Sequence, residues 1–181
     1  MIFNFFIQKK FNAIPTNRLL HDLHHGLFAL TQAVTIQFTI ETSLKYFCGR
    51  HRPDYFSRLQ LQLDEMEIIN GSLSFPSGHT CASFCTMVFL FLYLGGKLKL
   101  FQRGNFLLFV LAAIPIYIAI FIAATRVRDY KHNYSDIVAG SLVGTFAACV
   151  GYFLNYPSLS SALCDLPQNH KLYYMTLNSS P

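Results

Sequence analysis

Residues 104–125 read GNFLLFVLAAIPIYIAIFIAAT and contain no charged side chain. A helix needs roughly 20 apolar residues to cross the hydrocarbon core of a bilayer, so this segment predicts a membrane span. Two further uncharged stretches, residues 68–96 and 137–163, are long enough to do the same. Only 13% of the residues are charged, whereas a typical soluble domain has about a quarter. The composition therefore predicts an integral membrane protein.

The hydrophobic pattern predicts an all-α, multi-pass transmembrane helical bundle. The predicted spans lie at about residues 26–45, 79–96, 104–125 and 137–156. Residues 26–156 form one membrane domain in this interpretation, because the polar connectors are too short to fold alone. The flanking segments are a cytoplasmic or interfacial leader, residues 1–25, and a cytoplasmic tail, residues 157–181.

Basic residues decide the predicted orientation, since the formal net charge is +5. The positive-inside rule places the leader and the connector Lys97–Arg103 in the cytoplasm. Loops 47–76 and 126–135 then share the lumenal or extracellular face. These loops are basic too, which suggests that their charges are kept for a function. No Lys/Arg-rich tract is present, so we expect no nucleic acid partner.

Three polar clusters fall at that outer face, each at the end of a predicted span. The first is KYFCGRHRP at residues 45–53, and the second is FPSGH at residues 75–79. The third runs from Thr125 to Asp136 and contains His132. Each cluster alone is a weak signal, but their order and their common position favour one shared site.

The residue types of these clusters suit a phosphate group. Lys45, Arg52 and Arg126 supply positive charge, and an arginine fork matches two phosphate oxygens. Ser77 and Gly78 stand where a helix begins, so free backbone N–H groups are expected to point at an anion. No carboxylate cluster is available for a divalent ion, so we expect neither metal nor cofactor.

Two histidines and one aspartate carry the expected chemistry. His132 and Asp136 are four residues apart and share one face if the segment is helical. A carboxylate bonded to one ring nitrogen would fix the tautomer and leave the other nitrogen free to attack. His79 begins a different helix and could protonate a leaving alkoxide.

Other conspicuous residues have structural interpretations. We expect Arg50, Arg128 and Lys131 to be interfacial anchors whose stems lie along apolar surface. Gly140 and Gly144 form a small-xxx-small pattern that is typical of close contact between membrane helices.

The motif series resembles the type-2 phosphatidic acid phosphatase superfamily. It consists of Lys45-x6-Arg52-Pro, then Pro-Ser-Gly-His79, then Arg126-x5-His132-x3-Asp136. The flanking sequences RPDYF and SFPSGH are similar to the lipid phosphate phosphatase branch, and the resemblance covers about residues 27–155. The family usually has six spans, so this sequence is expected to lack the first two, a loss that preserves the sidedness of the motifs.

The resemblance implies metal-independent hydrolysis through a phosphohistidine. By motif position, His132 corresponds to the nucleophile, Asp136 to its orienting partner, and His79 to the acid that later activates water. The phosphate-binding set that the resemblance implies is Lys45, Arg52, Ser77, Gly78 and Arg126. Family substrates include phosphatidate, lysophosphatidate, diacylglycerol pyrophosphate and sphingoid phosphates, in the endoplasmic reticulum or the plasma membrane.

Two other functions stay open at this point. A catalytically weak membrane protein could bind phosphate lipids or protein partners through the same pocket, and a vanadate-dependent oxidase would share the motifs. Oligomeric state is also open, and a homo-oligomer is compatible with the sequence. Asn70-Gly-Ser72 is a glycosylation sequon in the predicted outer loop.

Overall fold

The computed structural model describes residues 16–61, 64–161 and 163–168, and within these residues the fold is all-helical. The helices are α1 (Thr16–Cys48), α2 (Tyr55–Gln60), α3 (Glu65–Gly71), α4 (Gly78–Leu98), α5 (Leu100–Arg103), α6 (Phe106–Arg128) and α7 (Tyr134–Asn155). The expected all-α fold is confirmed. Residues 1–15 of the expected leader and 169–181 of the expected tail lie outside the described part of the chain.

Three of the long helices, α4, α6 and α7, are long and apolar enough to cross a membrane. Each contains most of one predicted span. The fourth predicted span, residues 26–45, lies inside the 33-residue helix α1, which is not among these three. Polar side chains such as Gln37 and Glu41 interrupt the apolar character of α1, so its crossing of the membrane stays a prediction.

Helix α1 begins earlier than the predicted span. Residues 16–25, predicted to belong to the leader, form the first described turns of this helix. Polar side chains in this part find partners on the neighbouring helix. Asp22 forms an ion pair with Lys97 at the end of α4, and this pair ties the two helix ends together.

Helix α4 lies at the centre of the bundle and contacts α1, α6 and α7. Helices α1 and α6 run antiparallel to α4, because they end at the end of the bundle where α4 begins. Helix α7 runs parallel to α4, because it begins at that same end. The core between α1, α4 and α7 consists of buried small and aromatic side chains, including Ala29, Ala33, Cys85, Phe89, Ala147 and Tyr152.

Glycines on α7 allow this close packing. A Cβ at Gly140 would lie 2.9 Å from the carbonyl oxygen of Ser77, and one at Gly144 would lie 2.9 Å from the amide nitrogen of Cys85. A Cβ at Gly151 would lie 2.9 Å from the carbonyl oxygen of Ala29 on α1. The small-xxx-small pattern at Gly140 and Gly144 therefore forms the contact surface between α7 and α4, as its spacing predicted.

The outer surface of the bundle is strongly apolar. Large exposed side chains include Phe38, Phe106, Leu107, Tyr117, Phe121, Leu142 and Phe146. An apolar surface of this extent is not stable against water and indicates contact with lipid. The arrangement agrees with an integral membrane protein whose polar residues collect at the two ends.

Candidate active site

The three polar clusters of the sequence meet at one end of the bundle. This end holds the C-termini of α1 and α6 and the N-termini of α4 and α7. The N–H of Ser74 donates to the carbonyl of Arg50 at 2.8 Å. The N–H of Ser77 donates to the carbonyl of Asp136 at 3.1 Å. These main-chain bonds join segments that are far apart in sequence into one site.

His132 lies in the connector between α6 and α7, and only 4% of its surface is exposed. Its Nδ1 is 2.9 Å from the carbonyl oxygen of Ser74. Because a carbonyl oxygen can only accept a hydrogen bond, Nδ1 of the neutral ring carries the proton. The lone pair of Nε2 is then free, so Nε2 is the ring nitrogen that can act as a nucleophile.

The protonation state of His132 follows from its surroundings. Burial lowers the pKa of His132 to about 4, and the positive charge of Arg52 acts in the same direction. The charge of Asp136 and the hydrogen bond to Ser74 raise this pKa by a smaller amount. The imidazole is therefore neutral near pH 7, which nucleophilic attack requires.

Asp136 is fully buried, but it does not bond directly to His132. Its Oδ2 lies 3.8 Å from Nδ1 of His132, which exceeds a hydrogen-bond distance. Instead, Oδ2 accepts from the Ser74 hydroxyl at 2.6 Å and from the N–H of Asn133 at 2.9 Å. Helix α7 begins only at Tyr134, so His132 precedes it. The i,i+4 spacing predicted a direct hydrogen bond between His132 and Asp136, and this prediction is wrong. Ser74 contacts both residues and links them.

Arg50 occupies the other oxygen of Asp136. Its Nη1 donates to Oδ1 of Asp136 at 3.0 Å and to the hydroxyl of Ser135 at 2.6 Å. The expected role of Arg50 as an interfacial anchor is corrected by these contacts. Lys131, also expected to be an anchor, donates to Asp54 at 2.7 Å and so ties the α6–α7 connector to the α1–α2 connector.

Ser74 and Arg50 were not among the site residues predicted from the sequence. Both are close neighbours of predicted positions, since Ser74 precedes the Phe-Pro-Ser-Gly-His segment and Arg50 stands two residues before Arg52. Their proximity to predicted site residues was the only sequence feature that pointed to Ser74 and Arg50. Such proximity shows that a segment lies at the site, but it does not show which of its side chains point inward.

Lys45 is held in the last turn of α1 by a carboxylate. Its Nζ lies 2.6 Å from Oε1 of Glu41, which is only 8% exposed and also accepts a bond from Gln37. The backbone of Gly78 packs against this pair. A Cβ at Gly78 would overlap the Glu41 carboxylate and lie 2.8 Å from Nζ of Lys45. The absence of a side chain at Gly78 therefore lets α4 begin next to the ammonium group.

Arg52 carries an unsatisfied donor. Its Nε is buried and has no hydrogen-bond partner within the described residues. Burial and the neighbouring charge of Arg58 lower the pKa of Arg52. A buried N–H without an acceptor costs free energy, and an anionic oxygen would be a strong acceptor for a guanidinium. The environment of Arg52 thus fits a bound anion.

Arg126 lies in the last turn of α6, and about a quarter of its side chain is exposed (26%). Its Nη2 pairs with Asp129 at 3.1 Å, and its Nε and Nη2 both lie 3.2 Å from the hydroxyl of Thr125. These contacts hold the guanidinium close to the end of the helix. Arg126 therefore adds a third fixed positive charge to those of Lys45 and Arg52.

The N-terminus of α4 has fewer free N–H groups than the sequence suggested. Ser77 was expected to offer its backbone N–H to phosphate, but this group donates to Asp136. Its hydroxyl is buried and accepts a bond from Thr80 at 3.0 Å. The first three helical N–H groups, those of Gly78, His79 and Thr80, have no acceptor within the helix. These groups and the helix dipole form the anion-binding end.

His79 stands in this first turn, and its side chain is exposed. The imidazole lies within Coulombic range of Arg126, Arg52 and Lys45. His79 therefore lies near all three of the cations expected to bind phosphate. A phosphate group bound by these cations would lie beside an imidazole that can exchange a proton.

A pocket of about 440 Å³ opens beside His132. Its walls are formed by Pro53, Val127, Arg128, Tyr130, Asn133 and Tyr134. Most of these side chains are apolar or aromatic, so the space next to the imidazole can hold a group larger and less polar than phosphate. Within the described part of the chain, no group of three or more His, Cys, Asp or Glu residues could hold a metal ion.

The family model described as PAP2 superfamily matches residues 26–158, a range that contains every residue of the site. The chain belongs to the PAP2 superfamily. The resemblance seen in the sequence motifs is thus confirmed at the level of the family.

Several curated proteins are similar to the chain over most of its length. A PA-phosphatase related-family protein of Dictyostelium discoideum is 43% identical over 84% of this chain and 57% of its own length. Lipid phosphate phosphatase 1 of Arabidopsis thaliana is 36% identical over 77% of this chain and 47% of its own. A probable diacylglycerol pyrophosphate phosphatase 1 of Schizosaccharomyces pombe is 33% identical over 86% and 62%.

The chain spans about half the length of the curated relatives it matches. No solved structure matches it significantly. The family assignment therefore rests on the sequence match, while the arrangement of the site rests on the geometry described above.

Proposed function

We propose that this PAP2 chain hydrolyses lipid phosphomonoesters through a phosphohistidine formed on Nε2 of His132. The observation that carries the proposal is the hydrogen bond from Nδ1 to the carbonyl of Ser74, which leaves Nε2 free on a neutral, buried ring. The names of relatives, lipid phosphate phosphatase and diacylglycerol pyrophosphate phosphatase, support a lipid phosphate as substrate.

Lys45, Arg52 and Arg126 bind the phosphate in this proposal. Their charges, with the free N–H groups at the start of α4, neutralise the oxygens of the group being transferred. The unsatisfied Nε of Arg52 supports this role. No step of the reaction requires a metal ion.

The first half-reaction transfers the phosphoryl group to His132. The lone pair of Nε2 attacks phosphorus, and the bond between phosphorus and the lipid oxygen breaks. The electron pair of that bond goes to the leaving oxygen, which takes a proton from the imidazolium of His79. The products are the lipid alcohol and a phosphohistidine whose ring is positively charged. With diacylglycerol pyrophosphate, which is an anhydride, the leaving group is phosphatidate instead of an alcohol.

The second half-reaction returns the enzyme to its starting state. His79, now neutral, takes a proton from a water molecule as the water oxygen attacks phosphorus. The bond between phosphorus and Nε2 breaks, and its electron pair returns to the ring. Inorganic phosphate is released, with His79 protonated and His132 neutral again.

We propose four classes of lipid as substrates: phosphatidate, lysophosphatidate, diacylglycerol pyrophosphate and sphingoid phosphates. The site lies at the end of a bundle whose sides are apolar, so acyl chains can stay in the bilayer while the headgroup reaches His132. The pocket beside His132 leaves room for the part of the lipid next to the phosphate.

The experiment is phosphate release from phosphatidate in detergent micelles with a chelator present. Wild type is compared with His132→Ala and with His24→Ala, a control histidine on α1 at the opposite end of the bundle. We expect chelator-resistant release that His132→Ala abolishes and His24→Ala preserves. Activity that survives His132→Ala would show that another residue is the nucleophile.

A protein that binds phosphate lipids with little turnover is the alternative. The cations and the free N–H groups at the start of α4 would bind a phosphate group in this case as well, without attack by His132. A folded wild-type protein that binds phosphatidate vesicles but releases no phosphate from any of the proposed lipids would establish it.

The site faces the lumen or the cell exterior in this proposal. Asn70 of the Asn70-Gly-Ser72 sequon lies exposed in α3, at the same end of the bundle as the site. Expression in a eukaryotic membrane should therefore give a glycosidase-sensitive mass shift that Asn70→Gln removes. A chain that stays unmodified while a sequon inserted into Lys97–Arg103 is glycosylated would reverse the orientation.

A further inference from the structure

A closed set of hydrogen bonds lies behind His132, on the side away from Nε2. Arg50 donates to one oxygen of Asp136 at 3.0 Å, and Ser74 donates to the other at 2.6 Å. Ser74 also faces Nδ1 of His132 with two atoms, its carbonyl oxygen at 2.9 Å and its hydroxyl at 3.3 Å. The N–H of Ser74 donates to the carbonyl of Arg50 at 2.8 Å, which closes the set.

The side chain of Arg50 is 43% exposed, but the carboxylate that it holds is not. Ser74 and Asp136 are completely buried, and a buried carboxylate is stable only when it is paired and hydrogen-bonded. The other donors to Asp136, the Ser74 hydroxyl and the Asn133 N–H, are neutral. Arg50 supplies the positive charge that meets this carboxylate.

The geometry of Arg50 differs from that of a phosphate ligand. Its Nη1 is used twice, on Asp136 and on Ser135. Arg52, by contrast, has a buried Nε without a hydrogen-bond partner among the described residues. The two arginines are two residues apart in sequence, but the recorded side-chain bonds of Arg50 go to Asp136 and Ser135, within the protein.

We infer that Arg50 and Ser74 are positioning residues for the reaction proposed above, on which this inference rests. Arg50 keeps Asp136 charged and in place. Asp136 fixes the hydroxyl of Ser74, and Ser74 orients the His132 ring through both of its oxygen atoms. Asp136 thus acts on His132 through Ser74.

The inference has a kinetic consequence. When the bond between Nε2 and phosphorus forms, the imidazole becomes positively charged, and the dipoles of Ser74 together with the charge of Asp136 at 3.8 Å stabilise it. Loss of Arg50 loosens this support but leaves the three phosphate-binding cations in place. The step of phosphoryl transfer should slow, while lipid binding should change little.

The test compares kcat and KM for phosphatidate in micelles. Arg50→Gln is expected to lower kcat about 10- to 100-fold, as a misplaced reacting group does, with KM within about twofold. Arg50→Lys restores part of the loss, because it keeps the charge. The control is Arg103→Gln in α5, at the opposite end of the bundle. In an Asp136→Asn background, Arg50→Gln should cause no further loss, since both act through one network.

Two results would overturn the inference. A rise in KM at unchanged kcat in Arg50→Gln would make Arg50 a substrate ligand. A double variant whose loss of kcat equals the product of the losses in Arg50→Gln and Asp136→Asn would show that the two residues act independently. If Arg50→Gln does not fold, Ser74→Ala decides: it removes the hydroxyl and keeps the carbonyl. Unchanged kcat in Ser74→Ala would contradict a role for that hydroxyl.

An NMR readout separates this inference from the proposed function. In ¹⁵N-histidine-labelled wild type, the proton on Nδ1 of His132 should give a protected signal, whether or not the protein hydrolyses lipid. Its loss in Arg50→Gln supports the positioning network even in an inactive chain. A persistent, unshifted signal in that variant counts against it. Absence of turnover in wild type would then reject only the proposed function.

Discussion

The ammonium of Lys45 lies 2.6 Å from the carboxylate of Glu41, one turn earlier on α1. Glu41 is nearly buried at 8% exposure, and 23% of the Lys45 side chain is exposed. A flexible lysine is therefore held in one place at the entrance to the anion-binding end of α4. Two of the predictions below depend on this pair.

Glu41→Gln should weaken substrate binding. Without the carboxylate, the Lys45 side chain regains rotamer freedom that it must lose again when phosphate binds. Fixing a free lysine side chain costs up to about 2 kcal/mol of conformational entropy. If about half of this cost returns in the variant, KM rises about fivefold. KM for phosphatidate and inhibition by inorganic phosphate measure the effect. The control is Glu67→Gln, an exposed glutamate in α3 at the same end of the bundle, and an unchanged KM in Glu41→Gln would refute the positioning of Lys45.

Gly78→Ala should fold but lose activity. The new Cβ meets the far ends of the Glu41 and Lys45 side chains, which can move aside, so the bundle survives while the ammonium is displaced. We expect kcat/KM to fall at least about tenfold. Gly95→Ala on the same helix is the control, because its Cβ would meet only ordinary contacts of 3.6 Å or more. Equal activity in both variants would show that α4 does not depend on a close approach at Gly78.

His132 should stay neutral far below the usual histidine range. Its pKa in the folded protein is about 4, because of burial and the charge of Arg52. Since the unfolded chain binds the proton near pH 6.5, stability from this residue is fully present above that pH. It is lost as pH falls toward 4. The ring ¹⁵N shifts, assigned with His132→Gln, measure the midpoint, and a midpoint close to 6.5 would contradict the buried, neutral imidazole.

Gly144→Val should destabilise the bundle without touching the site. Its side chain would overlap the backbone of α4, where Cys85 N lies 2.9 Å from the ideal Cβ position. Overpacking of this kind costs about 1–3 kcal/mol, measured as a lower midpoint of denaturation in detergent. Leu142→Ala is the control, because Leu142 faces outward and is 66% exposed. Equal midpoints for the two variants would mean that α4 and α7 are not in close contact.

The sequence predicted the membrane helices because their signal is local. The uncharged run of residues 104–125 needs no partner to be recognised, and it lies almost entirely in α6. The weaker hydrophobic pattern of residues 26–45 predicted a helix at the right place, but the helix in the structure is longer and runs from Thr16 to Cys48. Residues 16–25 extend this helix, and Asp22 among them forms an ion pair with Lys97 on α4, a contact that depends on the tertiary structure.

Motif spacing predicted most residues of the candidate site, but it predicted neither Ser74 and Arg50 nor the hydrogen bonds that join the site. Motif spacing placed His132 and Asp136 together, yet it could not show that α7 begins at Tyr134 and leaves His132 outside the helix. Nor could it show that Ser74 reaches between them, because the direction of a side chain in an extended connector is set by the contacts of the folded chain.

Trapping the phosphoenzyme tests the central claim most directly. The His79→Ala variant is given p-nitrophenyl phosphate, whose leaving group needs no proton, so phosphorylation can proceed while attack by water lacks its base. We predict that acid-labile, alkali-stable phosphate accumulates on the protein, maps to His132 by mass spectrometry, and is absent when His132→Ala is added. Turnover by wild type without such an intermediate in the variant, or phosphate on another residue, would contradict the account.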